Sequence, residues 1–232
     1  MANDFECRFC SKKFKREQTV LSHKCLKRDR YNEKDTRKMK VAYMMWKEYM
    51  QYHKFKIPAK VVQAGDEYLY FINSSVFNEF EKFAEYVTQN DIFKPDEFIT
   101  HVIKSGINAR DWCTFKVHQD WVIKYTRNEH PRSGIERSIR AFADWEALTG
   151  QPWNTFFSSA TLVRVIMWFE SGKLSPWIIY ASNTADELLS RVSDSEYSHL
   201  IPYIDHTVWI PKISAYRTDV ESIKQELKGF GL

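Results

Sequence analysis

Glycine and proline are scarce in this chain, at seven each among 232 residues. Seven scattered glycines cannot build a phosphate-cradling loop. With 44% hydrophobic and 16% aromatic residues, the same scarcity excludes a disordered chain. Cysteine is scarcer still, at four residues, so no disulfide framework is expected and a reducing, cytoplasmic setting is. No apolar run approaches the ~18 residues of a membrane span, and Met1-Ala2-Asn3-Asp4 lacks a secretory apolar core. No membrane partner is expected. Catalytic signatures are missing too. There is no His-Glu-x-x-His and no nucleophile elbow, and Pro95-Asp96 has no downstream acid-x-Lys partner on a strand. Glu226-Leu227-Lys228 has the letters but falls in the terminal helix. His53, His101, His118, His130, His199 and His206 are dispersed, and Cys113, between Trp112 and Phe115, reads as a small buried apolar group. The chain is not expected to be an enzyme.

What is present is concentrated at the start. Cys7 and Cys10 are separated by two residues, and His23 and Cys25 follow one short helix later. Two cysteines at that spacing present both sulfurs to one ion from a tight turn, and a histidine beyond a helix closes on it. Thiolate and imidazole donors suit zinc, and a full set of four marks a structural site. The competing reading is three reduced cysteines around a small apolar turn.

The apolar spacing adds independent support. Phe5 lies two residues before Cys7, Phe14 four after Cys10, and Val20 six after Phe14 and three before His23. This pattern resembles the two-Cys two-His zinc finger through His23. It departs from it afterwards, because Cys25 comes after one residue where the family has three to five. Residues two apart on a helix point roughly 200° from each other, so the helix must end near Lys24 for both to reach one ion. The resemblance implies a helix starting near Glu17, with Arg16, Thr19 and Ser22 at base-reading positions and Gln18 beside them. Arg16 would offer two donors to guanine, whereas Thr19 and Ser22 discriminate poorly. Lys12, Lys13, Lys15, Lys24, Lys27, Arg28 and Arg30 would contact phosphates.

Charge divides the chain in the same place. Residues 1–56 carry 16 Lys and Arg against 7 Asp and Glu, a surplus of nine positive charges, and the remaining 18 basic and 23 acidic residues leave five negative. A basic start on a mildly acidic body suggests a polyanion for the first part and another partner for the second. A solvated lysine-rich face is the plainer reading.

Beyond the finger, a charge-dense arm runs from Leu26 to Lys38. Met39, Tyr43, Trp46 and Met50 then mark one face of an amphipathic helix closed by Pro58, with Arg37, Lys40, Lys47 and Lys54 mainly off that face. Glu67 to Ile72 is apolar enough for a strand or a buried helix start, and periodicity does not separate the two. Ser74 and Ser75 are candidate caps for a helix burying Val76, Phe77, Phe80, Phe83, Ala84 and Val87. Pro95 opens the next helix and Gly106 stops it; another is expected from about Arg110 to Tyr125. Ser133 with Glu136, Thr184 with Glu187 and Ser193 with Glu196 have capping-box spacing. Gly150 and Gly172 read as helix stops, and the last helix is expected over Ser214 to Lys228. Ile103-Lys104-Ser105-Gly106 before Trp112 echoes Phe169-Glu170-Ser171-Gly172 before Trp177, which reads as two helix ends each followed by a buried tryptophan.

The expected architecture is mainly α: a small ββα-type zinc finger over 1–27, a basic arm and amphipathic helix over 28–58, and a helical domain over 59–232. The expected function is a non-enzymatic nucleic-acid-binding factor with structural zinc, DNA rather than RNA as its polymer, and a protein partner met through the helical body. The alternatives are an interaction or particle-assembly component whose zinc is architectural, and a nuclease whose site forms only in the fold. The whole chain also resembles uncharacterised tailed-bacteriophage proteins with one amino-terminal finger, through Cys7, Cys10, Phe14, His23, Cys25, Lys27-Arg28, Arg137-Ser138 and Ser171 to Trp177. That resemblance implies a viral protein working in the host cytoplasm on nucleic acid or in assembly, and no particular activity.

Overall fold

A computed structural model of the chain describes residues 5–90 and 92–232, so Met1-Ala2-Asn3-Asp4 lie outside the described residues. The fold is mainly α, opened by the small ββ unit expected from the sequence. Strands β1 (Phe5–Glu6) and β2 (Lys13–Phe14) pair antiparallel, Phe5 opposite Phe14 and Glu6 opposite Lys13. Helices α1 (Glu17–Ser22) and α2 (Leu26–Asn32) follow. Next come α3 (Arg37–Tyr52), α4 (Ala59–Ala64), α5 (Glu67–Ile72), α6 (Phe77–Gln89) and α7 (Pro95–Lys104). The second half comprises α8 (Phe115–Asn128), α9 (Pro131–Thr149), α10 (Phe156–Ser159), α11 (Leu162–Glu170), α12 (Trp177–Ala181), α13 (Ala185–Leu189), α14 (Asp194–Ile204), α15 (His206–Ala215) and α16 (Arg217–Gly229).

The chain divides into two compact units, Met1–Val117 and His118–Leu232, with the boundary in the first turn of α8. Finger, arm and the helices through α7 share the first unit. In that unit α3 is central, packing on α5, α6 and α7. Its predicted stripe buries Met39 and Trp46, with Ala42 and Met45 beside them. Phe71, Phe77, Phe80, Phe83 and Trp112 fill the space it faces, each no more than 2% exposed. Large rings let short helices bury enough apolar area to offset their ordering cost.

The second unit is built on α9, which packs on α12 and α16. Pro131 opens it without losing a needed amide, and Gly150 closes it at φ +72°, where a side chain would be strained. Gly134 has a different reason. A Cβ there would run into Ser175, whose own Cβ would be 2.9 Å away.

Several local expectations change. Glu67 to Ile72 is helical, α5, because its buried residues Phe71 and Ile72 form a one-turn patch against α3 rather than an alternating face. The stretch from Arg110 to Tyr125 is not one helix. A 3-10 turn (Ala109–Asp111) precedes α8, and the Trp112 indole donates to Ile107 O while Thr114 turns back onto Asp111 O. α3 ends at Tyr52, ahead of Pro58, with Lys54 left-handed at φ +57°. Val76 rather than a serine side chain stands at the start of α6 and is exposed. Ser133 lies inside α9, whose cap is His130 accepting from the Arg132 amide, and Thr184 caps α13 without a side-chain bond. The Ser193–Glu196 capping box forms as expected. The terminal segment is two helices meeting at Tyr216. Gly106 and Gly172 both have positive φ, and Trp112 and Trp177 are each 1% exposed, so the repeated phrase is two helix ends over buried indoles.

His118 is 8% exposed on α8, and burial pushes its imidazole below the usual value of 6.5. A folded state that resists protonation loses stability once the unfolded chain takes up the proton, so the effect is absent above about 6.5 and grows as pH falls below it. Urea midpoints measured from pH 7.5 to 5 should therefore fall on the acid side, and His118→Leu should flatten that slope; an unaltered slope in the variant assigns the acid sensitivity to other groups.

Candidate metal centre

The four ligands predicted from spacing converge. Cys7, Cys10, His23 and Cys25 place their donor atoms within 4.8 Å of one another, close enough to hold one metal ion. Cys7 sits at the end of β1, and its turn is tied by Cys7 N to Lys12 O (2.9 Å) and Ser11 N to Cys7 O (2.8 Å). Ser11 takes φ +55° to close that loop, which brings Cys10 back over Cys7. Across the site, α1 ends at Ser22 and His23 is extended at ψ 140°. The helix therefore stops a little before the predicted point, for the predicted reason: only off the helix can His23 and Cys25 face one centre.

Two of the six donor–donor distances match tetrahedral edges. Zinc with sulfurs at about 2.3 Å and nitrogen at about 2.0–2.1 Å has edges of roughly 3.8 Å between sulfurs and 3.5 Å between sulfur and nitrogen. Cys7 Sγ to Cys25 Sγ is 3.9 Å and Cys10 Sγ to His23 Nε2 is 3.6 Å. The sulfurs are far beyond a disulfide length, and all are free thiols. His23 Nδ1 lies 2.6 Å from Val20 O, which fixes the ring with Nδ1–H donating and Nε2 turned to the centre. Phe14 packs against that ring at 4.7 Å.

Electrostatics favour thiolate at Cys7. Burial opposes charge on Cys7, but the amides of Cys10 and Phe9 and the neighbouring Cys10 and Cys25 thiols outweigh it and bring the group down to about 7. Burial pushes Cys25 up, with the Arg28 amide working against it. That amide reaches Cys25 Sγ at 3.4 Å and makes Cys25 the cap of α2. A candidate metal ligand is thus also the first fixed point of the basic arm.

No known family, curated protein or solved structure matches this chain. The resemblance to tailed-phage proteins gains no support from these comparisons. The metal-site geometry carries the finger likeness by itself.

The predicted nucleic-acid residues fall into two groups. Lys12, Lys13, Lys15, Arg16, Gln18, Thr19, Ser22 and Lys24 are exposed, and α1 has no buried residue. Ser22 donates to Gln18 O, which occupies its hydroxyl proton. Arg16 is extended just ahead of α1. Lys27, Arg28 and Arg30 are instead engaged inside the unit. Lys27 bonds Asn73 Oδ1, and Arg28 donates to Leu21 O and His23 O, closing the end of α1. Arg30 pairs with Glu81, donates to Asn78 and lies over the Phe77 ring at 4.2 Å. Phe9, at the metal loop, rests on Tyr31 at 5.3 Å, and Asn73 donates to Phe9 O. The partners of Lys27, Arg30 and Phe9 O lie 46 to 64 residues away along the chain, where no local pattern reveals them.

Proposed function

We propose that this chain is a non-enzymatic nucleic-acid-binding factor, viral in origin, whose amino-terminal module is held by one structural zinc and presents a basic face to duplex DNA. When bound, the metal supplies four strong bonds and no reactive position. Cys7, Cys10, His23 and Cys25 would hold it, and the His23–Val20 bond would orient the imidazole. One observation carries the reading: the turn before β2, β2 itself and the segments flanking α1 display Lys12, Lys13, Lys15, Arg16 and Lys24, whose side chains have no hydrogen-bond or ion-pair partner among the described residues, around a helix with nothing buried. Cations left exposed together are free to release counterions on a phosphate backbone. With six helical residues and short side chains at Thr19 and Ser22, the module reads little sequence.

Affinity for a duplex at rising salt tests this. Neutralising Lys12, Lys15 and Arg16 to glutamine should flatten the log-log salt slope by about 0.9 for each phosphate no longer neutralised, and weaken all sequences alike. A wild-type affinity independent of salt would rule the reading out.

A second reading has its own observation. The module is docked by Phe9, Lys27 and Arg30 onto α5 and α6, as expected of a purely architectural zinc in an assembly component.

A further inference from the structure

A depression of about 540 Å³ lies where the segment after α2 meets α3 and α5, and none of its lining residues belongs to α1. Its lining includes Lys34, Lys40, Tyr43, Met44, Lys47 and Tyr68. That volume is within the roughly 300–1,000 Å³ typical of small-ligand sites. Its charge is positive: three lysines face Asp35 and, behind Tyr43, Glu67. Glu67 is already engaged, accepting from the Tyr43 hydroxyl at 3.3 Å with Lys47 Nζ at 3.9 Å. The Lys40 side chain has no hydrogen-bond or ion-pair partner among the described residues. Lys47 lies over the Tyr43 ring at 5.5 Å and Lys34 over Tyr31 at 5.2 Å.

The rings are fixed rather than mobile. Tyr43 stacks on buried Trp46 at 5.8 Å and meets the edge of Tyr68 at 5.2 Å; Tyr68 meets Tyr31 at 5.8 Å and donates to Arg30 O. Both Tyr43 and Tyr68 remain partly exposed, and Met44 is 44% exposed at the rim. Held aromatic faces between lysines suit flat bases joined by phosphates, since stacking tolerates any base and the cations follow the backbone. A purely acidic peptide would leave the aromatic and methionine surface uncovered.

We propose that this depression is a second nucleic-acid site, which takes one or two nucleotides of a single strand, with bases against Tyr43 and Tyr68 and phosphates at Lys34, Lys40 and Lys47. The proposal deepens the nucleic-acid reading but uses residues outside the metal module's exposed face. A strand held here leaves the finger's own face free for duplex.

The test uses the full-length, zinc-loaded chain and fluorescent oligothymidylate or oligouridylate of about twelve nucleotides. Lys34→Glu with Lys40→Glu should weaken strand binding about tenfold or more and lower the salt slope by about 0.7 for each phosphate released, with duplex affinity unchanged. Tyr68→Leu should weaken it about tenfold, and Tyr68→Phe, which keeps the ring, should restore it. Metal content and helicity of each variant report folding. Strand binding that survives the lysine pair but disappears on neutralising Lys12, Lys15 and Arg16 overturns the site while leaving the finger reading intact. Strand binding at the depression with no duplex binding does the reverse. Displacement by polyglutamate as effective as by free strand also overturns it, because the occupant is then any acidic polymer.

Discussion

The Cys25→Ser chain is expected to lose its metal and, with it, the fold of residues 5–32. Little else in that stretch can hold it. Neither α1 nor α2 has a buried residue, the strands are two residues each, and Phe14 and Val20 are only half-buried. Metal binding in modules of this kind contributes on the order of 10–16 kcal/mol, which is folding free energy because the unfolded chain has no preformed site. Cys25 is the most damaging ligand to change. It closes the donor set, and its sulfur also accepts the Arg28 amide that starts α2. Hydrogen exchange should show amides from Cys7 to Asn32 losing protection in the variant, or after chelation of the native chain. Helices α3, α6 and α7, built on a separate apolar core, should retain theirs. Protection unchanged by chelation would mean that the docking contacts alone hold the module. The consequence reaches past the finger. Phe9 rests on Tyr31, Tyr31 on Tyr68 and Tyr68 on Tyr43, so losing the metal removes the outermost ring of the series that walls the lysine-lined depression.

The metal centre was legible in sequence because spacing alone determines which donors can meet. Cys-x-x-Cys and the one-residue gap between His23 and Cys25 dictate a tight turn and a helix that ends early, and both are found. The α3 stripe was legible for a similar reason, its apolar positions recurring at helical intervals. Arg28 and Arg30 were not. As letters they look like any basic arm, yet Arg28 closes the end of α1 and Arg30 is bound to Asn78 and Glu81. Only the tertiary fold decides whether a cation faces solvent or a carboxylate. Glu67 to Ile72 failed differently. A six-residue apolar run has no room to display its period, and its conformation is decided by what it packs on. The depression at Tyr43 and Tyr68 was hidden as well, since its two aromatic walls come from α3 and α5.

Glu129→Ala is expected to destabilise the second unit by about 3–5 kcal/mol, the cost of breaking a buried ion pair by removing one partner. Glu129 sits between α8 and α9 with its side chain 3% exposed. Both Nη atoms of Arg137 donate to its two carboxylate oxygens, and Ser175 Oγ donates to Oε1 at 2.6 Å. Its main-chain oxygen accepts from the Trp177 indole at 3.3 Å. The knot continues inward: the Ser175 amide donates to Ser138 Oγ at 2.9 Å, and Ser138 donates to Gly134 O. One carboxylate therefore ties the start of α9 to the loop that launches α12. Its two segments, Arg137-Ser138 and Ser171 to Trp177, are the ones that carried the wider resemblance outside the finger, and the structure gives them an architectural role. Against a whole-domain stability of about 5–15 kcal/mol, the loss is large enough to lower the urea midpoint severely. Removing both charges should cost less than the sum of the single changes, because the double variant Glu129→Leu, Arg137→Met leaves no buried charge stripped of its partner. A Glu129→Ala loss under about 1 kcal/mol would place the pair among solvated surface bridges, and the knot would then organise nothing.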